Sequence, residues 1–401
     1  MKRYESYKDS GVEWIGEVPM KWGLPKLKHL ITDSFGGEVI DKSFWGDGDE
    51  TLYTTSKKVH KSDYKGFNDE RRTTTDDLLL SRNGDGIVHI PPGGCIYTNV
   101  VQLVRIKSGV DRRFLWYSLT FQIKPLNSFS DGDFIVSLNK EQWFNLLTPL
   151  PTIGVQNQIV SFLDSKTSQI DELIQKKVRK IELLKEYRTS LINQVVTKGL
   201  NPNVEMKNSG VEWIGEIPSG WEVIKLKYVC SVTTGGKDTQ DKIEDGLYPF
   251  YVRSPKIEKI NSYSFDGESV LTVGDGVGVG KVFHYVNGKF EFHQRVYKFS
   301  HFQRLTGKFF YWFIKNHFLY VTEDQNSKST VDSLRRPLID EFPFVCPSVG
   351  EQQQIVSYLD EQTQKIDSSI HFEEKKIELL KEYRQSLISE VVTGKIDVRV
   401  N

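Results

Sequence analysis

Between residues 156 and 197 the apolar positions recur in a heptad pattern, with one column at Thr167, Ile174, Ile181, Arg188 and Val195 and a second at Leu163, Ile170, Lys177, Leu184 and Leu191. The same two columns return 196 residues later, as Thr363, Ile370, Ile377, Arg384 and Val391 beside Leu359, Ile366, Glu373, Leu380 and Leu387. No Gly or Pro interrupts these stretches, so each predicts one helix, about 60 Å long if roughly 40 residues rise 1.5 Å apiece. Ser348 and Glu351 form a capping box at the start of the second helix, whereas Thr152 and Val155 supply only half of one in the first. The rest of the chain breaks into short alternating runs typical of strands, with two aromatic stretches, 114–122 and 309–318, that read as amphipathic packing helices.

The helices belong to a larger repetition. KDSGVEWIGEVP at 8–19 returns as KNSGVEWIGEIP at 207–218, IELLKEYR at 181–188 is unchanged at 377–384, and QIVSFLDSKTSQID at 158–171 matches QIVSYLDEQTQKID at 354–367. Residues 31–150 and 230–345 share almost nothing. The order is therefore variable, constant, variable, constant. Positions expected to face solvent persist in both copies, such as Lys185 with Lys381 and Glu186 with Glu382, so both constant segments are expected to meet the same kind of surface. An antiparallel pairing of the helices is expected. It separates the like charges of Arg188 and Arg384, bringing each near Thr363 or Thr167, whereas Lys177 and Glu373 can neutralise one another in either orientation.

Within the variable segments, 51–67, 78–94 and 95–106 in the first and 248–256, 269–290 and 290–299 in the second predict strands. Asn287-Gly288 is expected to turn a hairpin, and 290–299 to run as a single strand. Polar and basic side chains gather in the loops. The first segment offers Thr54, Thr55, Ser56, Lys57 and Lys58, then Ser81, Arg82 and Asn83, then Thr98 and Asn99. The second offers Tyr251, Arg253, Ser254 and Lys256, then Lys281, then His293, Gln294 and Arg295, then Lys328, Ser329, Thr330, Arg335 and Arg336. Arg, Gln, Asn and Lys match base edges in the major groove, and Ser, Thr and Lys suit phosphates.

Charge does not announce a nucleic-acid partner: 53 Lys and Arg balance 53 Asp and Glu, so any basic surface is local. No G-x-x-x-x-G-K-[ST] loop and no H-E-x-x-H spacing occurs, the alternating glycines 274–280 are not a dinucleotide fingerprint, and Glu373-Glu374-Lys375 lies in the heptad helix. A non-catalytic chain without its own metal is expected. Three scattered cysteines without a CxxC, no membrane-length apolar run and no signal-peptide core in MKRYESYKDS point to the cytoplasm.

The doubled SGVEWIGE-x-P-x-x-W, the P-x-x-x-x-Q-x-x-I helix entry and IELLKEYR-x-SLI, in this order over essentially the whole chain, resemble the specificity subunits of Type I restriction–modification systems. The resemblance implies an α/β (α+β) fold. Target recognition domains occupy 1–150 and 207–346, and helical spacers 151–198 and 347–393 form a pseudo-two-fold antiparallel coiled coil. A linker spans 199–206 and a tail 394–401. It further implies that each recognition domain reads half of an asymmetric, bipartite double-stranded DNA target. The coiled coil sets the spacer and docks two methyltransferase subunits, through which restriction subunits join. S-adenosylmethionine, ATP and magnesium belong to those partners. The same architecture also serves a related Type II system, and a coiled-coil protein-interaction scaffold is the alternative from another class. The resemblance departs at one point: Glu351-Gln352 at the second helix entry is Val155-Gln156 at the first.

Overall fold

The unbroken heptad runs form helices of the expected kind: α3 (Ile153–Lys198, 46 residues) and α6 (Val349–Val392, 44 residues). The computed structural model describes residues 2–82, 86–128, 138–275, 279–326 and 335–399. The chain divides into two units, 1–177 with 375–401, and 178–374, so each holds a stretch of both long helices.

The first unit contains strands β1 (Tyr7–Asp9), β2 (Glu17–Pro19), β3 (Ile31–Gly36), β4 (Trp45–Tyr53), β5 (His60–Ser62), β6 (Asp77–Ser81), β7 (Val88–His89), β8 (Ile96–Tyr97) and β9 (Val101–Ile106), then helices α1 (Arg112–Ser128) and α2 (Lys140–Asn145). The order β3-β9-β6-β7 makes one sheet and β5-β4-β8 another, with β4 and β8 parallel. The second unit contains β10 (Met206–Asn208), β11 (Glu216–Pro218), β12 (Glu222–Lys225), β13 (Ser231–Thr234), β14 (Tyr248–Tyr251), β15 (Ile257–Ile260), β16 (Phe265–Val273), β17 (Phe283–Phe292), β18 (Val296–Ser300) and β19 (Pro343–Cys346), with α4 (Gly307–Asn326) and α5 (Arg336–Asp340). Here β13-β18-β16-β17-β14-β15 form one sheet, and β14 runs parallel to β17.

Two strand expectations are corrected. Asn287-Gly288 lies inside β17 rather than at a turn, because Gly288 (φ 128°) sits across the ladder from Gly267 (φ 144°). Two facing glycines let the pair take a backbone conformation closed to other residues without ending either strand. The run 290–299 is split by a turn at 293–295, where Val296 N–H donates to the His293 carbonyl.

All twelve expected seam residues, Leu163, Ile170, Ile174, Ile181, Leu184, Leu191, Leu359, Ile366, Ile370, Ile377, Leu380 and Leu387, are buried or half-buried. In the second unit Lys180 pairs with Glu373 at 2.8 Å and Arg188 with Asp367 at 2.9 Å. The index on α3 rises while that on α6 falls, so the helices run antiparallel there. In the first unit Arg384 pairs with Asp171 at 3.0 Å. Arg188 lines one surface recess with Thr363. Glu373 meets Lys180, and the two arginines reach the aspartates four residues beyond Thr167 and Thr363, because a long guanidinium stem spans one helical turn to a carboxylate. Thr363 instead bonds the Leu359 carbonyl of its own helix at 2.6 Å, and Thr167 lies 3.3 Å from the Tyr117 hydroxyl.

The glutamine of each helix entry has a readable purpose. Gln156, 1 % exposed, accepts from Asp111 N–H at 2.7 Å and donates to the Pro151 carbonyl. Gln352, fully buried, accepts from Thr306 N–H at 2.8 Å and donates to the Arg304 and Pro347 carbonyls. A side-chain amide carries both a donor and an acceptor, which is what tying the start of a packing helix to the start of a long one requires. In the first unit Ile15, Val18, Trp22, Phe114, Tyr117, Ile159, Leu163, Leu387 and Val391 then share one core, joining the repeated N-terminal segment to α1, α3 and α6. Among the described residues no helix is long and apolar enough to cross a membrane.

Candidate nucleic-acid interface

The two variable segments share almost no sequence, yet their loops hang on the same backbone lattice. In the first unit, Thr98 N–H donates to the Tyr53 carbonyl, Asn99 N–H to Glu38, Val101 N–H to Thr98 and Arg82 N–H to Val100. In the second, His293 N–H donates to Tyr251, Gln294 N–H to Lys237, Val296 N–H to His293 and Gly274 N–H to Arg295. Isolated bridges Glu38–Thr98 and Lys237–His293, both parallel, complete the match. The loops thus leave the carboxyl ends of a parallel strand pair, β4/β8 in one unit and β14/β17 in the other.

A glycine makes each lattice possible. A Cβ on Gly37 would stand 2.3 Å from the Thr98 carbonyl oxygen, and one on Gly235 would stand 1.9 Å from that of Phe292. Neither position has room for a side chain. The dipeptides Gly36-Gly37 and Gly235-Gly236 were a signal open to sequence comparison, since their spacing equals that of the N-terminal repeat. A second shared feature lies beneath the loops: Tyr53 packs on His89 and Tyr251 on His284, with ring centroids 5.1 and 4.9 Å apart. Burial lowers the pKa of both histidines, and the Nε2 of each is enclosed without a hydrogen-bond partner.

On this frame the sequence-derived candidates separate. Ser56, Lys57, Lys58, Asn99, Arg253, Lys256, Lys281, Gln294, Arg295 and Arg335 are exposed, while Thr55, Arg82 and Ser254 are half-buried. Asn99 and Gln294 occupy the same lattice position, so each unit offers one amide there. In the second unit carboxylates hold the donors in place: Arg295 bonds Asp275 at 2.6 Å, Arg253 lies 3.5 Å from the same carboxylate, and Gln294 donates to Asp238 at 2.7 Å. Fixed donors with spare N–H groups suit recognition of base edges.

Five candidates are corrected, because they lie inside their units. Thr54 accepts from Ser56 N–H at 3.0 Å, an internal turn. Ser81 accepts from Ile87 N–H at 2.6 Å, and its carbonyl takes the Trp143 indole N–H. Thr98 and Tyr251 are enclosed. His293, 1 % exposed, accepts from Arg295 N–H through Nδ1, which places its proton on Nε2, 3.6 Å from Asp238; burial lowers its pKa. Arg336 is exposed and bonds Asp340 through Nε and the Val232 carbonyl through one terminal nitrogen. Asn83, Lys328, Ser329 and Thr330 lie outside the described residues. Among the described residues no group of three His, Cys, Asp or Glu is placed to hold a metal.

The repeated helical segment keeps an exposed face in both units. Lys185, Glu186, Lys381 and Glu382 are at the surface, as their repetition led one to expect. Leu183 and Tyr187 are 48 % and 57 % exposed, and their counterparts Leu379 and Tyr383 are 55 % and 49 % exposed.

Known proteins share both sequence and fold. The specificity subunit of the Type I restriction enzyme EcoDI of Escherichia coli is 29 % identical over 182 residues, covering 45 % of this chain and 40 % of that protein. The specificity subunit of MjaVIII from Methanocaldococcus jannaschii is 29 % identical over 218 residues, 54 % of this chain and 45 % of that one. The matches thus span less than half the length of these relatives. A chain from a type I R-M complex, solved for its assembly and conformational transition, shares the fold over 94 % of this chain and 99 % of its own, with a TM-score of 0.72 at 14 % identity. The HsdS subunit from Thermoanaerobacter tengcongensis does so over 94 % and 98 %, with a TM-score of 0.51. The model of the Type I restriction modification DNA specificity domain matches twice, over residues 19–183 and 218–382, and the chain belongs to that family.

Proposed function

We propose that this chain is the DNA-reading subunit of a Type I restriction–modification complex, in which the loop cluster of each unit contacts one half of a bipartite, asymmetric duplex target. The observation that carries this reading is the shared lattice with unshared side chains: Asn99 answers to Gln294, Val100 to Arg295 and Arg82 to Gly274. A constant frame that presents different hydrogen-bonding groups is what two readers of different sequences need. The exposed residues above serve as the contacts, with Ser56, Lys57, Lys58, Lys256 and Lys281 toward phosphates and Asn99, Arg253, Gln294 and Arg295 toward bases.

The uninterrupted helices α3 and α6 set the unread spacer in this proposal. The Leu183–Tyr187 and Leu379–Tyr383 doublets dock two copies of one methyltransferase subunit, because both repeats retain the same exposed apolar pair. Restriction subunits join through the methyltransferase. The chain reads and holds the duplex in the cytoplasm, while S-adenosylmethionine, ATP and magnesium act on the partner subunits, where the target base is extruded for methylation. Selection from random duplexes, repeated at rising salt, tests the reading. It predicts enrichment of two short sequences separated by an unconstrained spacer, with affinity falling steeply as salt rises. Recovery of no sequence, or of one continuous site, contradicts it.

A further inference from the structure

The two helix entries differ where their repeats should agree. In the second unit the Trp221 indole N–H donates to Glu351 at 3.1 Å, and the same carboxylate accepts from the Ser348 N–H and hydroxyl at 3.1 and 2.7 Å. These bonds, against the opposing effect of burial, hold the Glu351 pKa below its usual value. The carboxylate therefore closes the N-terminus of α6 and satisfies a buried tryptophan. In the first unit the counterpart of Trp221 is Trp22, 4 % exposed, and the counterpart of Glu351 is Val155. Valine offers no acceptor, and the Trp22 indole N–H has no hydrogen-bond partner among the described residues.

A cleft of about 170 Å³ opens at this place, lined by Trp22, Val155 and Thr152 with Lys21, Glu5 and Arg399 around it. Arg399 bonds Asp397 through Nε and one terminal nitrogen, at 2.8 and 2.7 Å, which leaves its second terminal nitrogen for another acceptor. Lys21 is exposed. Thr152, which precedes α3 and is the counterpart of Ser348, lines the cleft, and a helix N-terminus favours negative charge. Glu5 lines the cleft as well and Asp397 already pairs with Arg399, so two cations stand against two carboxylates and the cleft offers free N–H donors rather than an excess of positive charge.

We infer that this cleft is a carboxylate site, filled by an acidic side chain of another protein chain that takes the place Glu351 holds in the second unit. The chemistry follows that of the second unit with the acceptor supplied from outside: an indole N–H and the residue that opens a long helix around one carboxylate, to which the first unit adds the Arg399 guanidinium. The cleft lies among the repeated segments rather than in the loops that vary, which favours a constant partner over a target sequence. The inference deepens the partner side of the proposed function and rests on it only for the source of the carboxylate. Carboxylate binding can fail while selection from random duplexes still succeeds, so the two readings fall separately.

The test is nitrogen-15 indole NMR of the full chain, with the Trp22 and Trp221 resonances assigned by Trp22→Phe and Trp221→Phe. The probes are N-acetyl-glutamate α-amide, its glutamine counterpart, a short alanine peptide with one central glutamate, and glutarate. The glutamate probes are expected to shift the Trp22 resonance saturably and leave Trp221 unmoved. The peptide should bind more tightly than the single residue, and the glutamine probe at least tenfold more weakly. Val155→Glu should move the Trp22 resonance toward that of Trp221 without any probe and abolish binding. Arg399→Gln, which leaves the helix entry intact, should weaken binding severalfold and serves where Val155→Glu does not fold. An unmoved Trp22 resonance, equal response to glutamine, or undiminished binding by Arg399→Gln overturns the site. Glutarate binding more tightly than the peptide overturns the protein-borne source.

Discussion

Replacing Gly235 with alanine isolates the role of the shared lattice. The new Cβ would stand 1.9 Å from the Phe292 carbonyl oxygen and 2.7 Å from that of His293, so the 235–238 loop must retreat by more than an ångström. That movement breaks the bond from Gln294 N–H to Lys237, 2.8 Å in the native chain, and disturbs the neighbouring Lys237–His293 bridge. Two backbone hydrogen bonds at about 0.5–1.5 kcal/mol each give a loss of ~1–3 kcal/mol before strain is added. For a unit of this size that is a fall in melting temperature of roughly 2–12 °C. Gln294 loses its position at the same time, and a lost base contact costs about 1–3 kcal/mol, or roughly 5- to 150-fold in discrimination. Gly236→Ala is the control: nothing lies within 4 Å of its Cβ, and the substitution should be silent. Calorimetry and competition gel-shifts with each half-site scrambled in turn provide the readout. Gly235→Ala should relax discrimination in one half of the target and Gly37→Ala in the other. Relaxation of both halves by either variant, or a destabilised unit that discriminates as before, would refute the reasoning.

Leu163→Ala, at a fully buried seam position, should cost about 2–5 kcal/mol and lower the melting temperature of the chain. Leu183→Ser with Tyr187→Ser, both exposed, should leave melting nearly unchanged while reducing methyltransferase assembly measured by native mass spectrometry. His317 carries a sharper pH signature. Burial depresses its pKa from 6.5 to about 4, among rings that include Phe313 at 4.6 Å and Trp213 at 5.2 Å. The unfolded chain therefore binds this proton first. Its stability contribution is complete above pH 6.5 and declines as pH falls toward 4, by ~3 kcal/mol in all. Denaturant melts at pH 7 and pH 4.5 should show that slope, and His317→Gln should flatten it.

The long helices were open to reading because their signal is redundant: a 3.5-residue period, no breaker and a second copy of the same text. Their seam partners were harder to foresee. A heptad column names the residues that face the partner helix, and a guanidinium reaches a full turn along it, so Arg188 lies by Thr363 and takes Asp367 as its ionic partner. Loop chemistry was legible only as a neighbourhood. Residue type brought Asn99, Gln294 and Arg295 into view, yet the same criterion selected Ser81 and His293, whose polar atoms serve their own backbone. Hydroxyls and imidazoles do not reveal whether their partner is water or the chain. Asn287-Gly288 misled for a related reason: a turn-forming dipeptide is only permissive, and the glycine opposite it at 267 decides that the strand continues. The lattice itself rests on backbone atoms, which explains how it persists between segments whose side chains share almost nothing.

Exchange of residues 31–150 for the corresponding segment of another family member, followed by sequencing of methylated genomic sites in cells that carry the chimaera with its methyltransferase, tests the division of labour most directly. The account predicts that one half of the methylated sequence changes, while the other half stays as it was and the spacer length holds. A change in both halves, or an unchanged site, contradicts it.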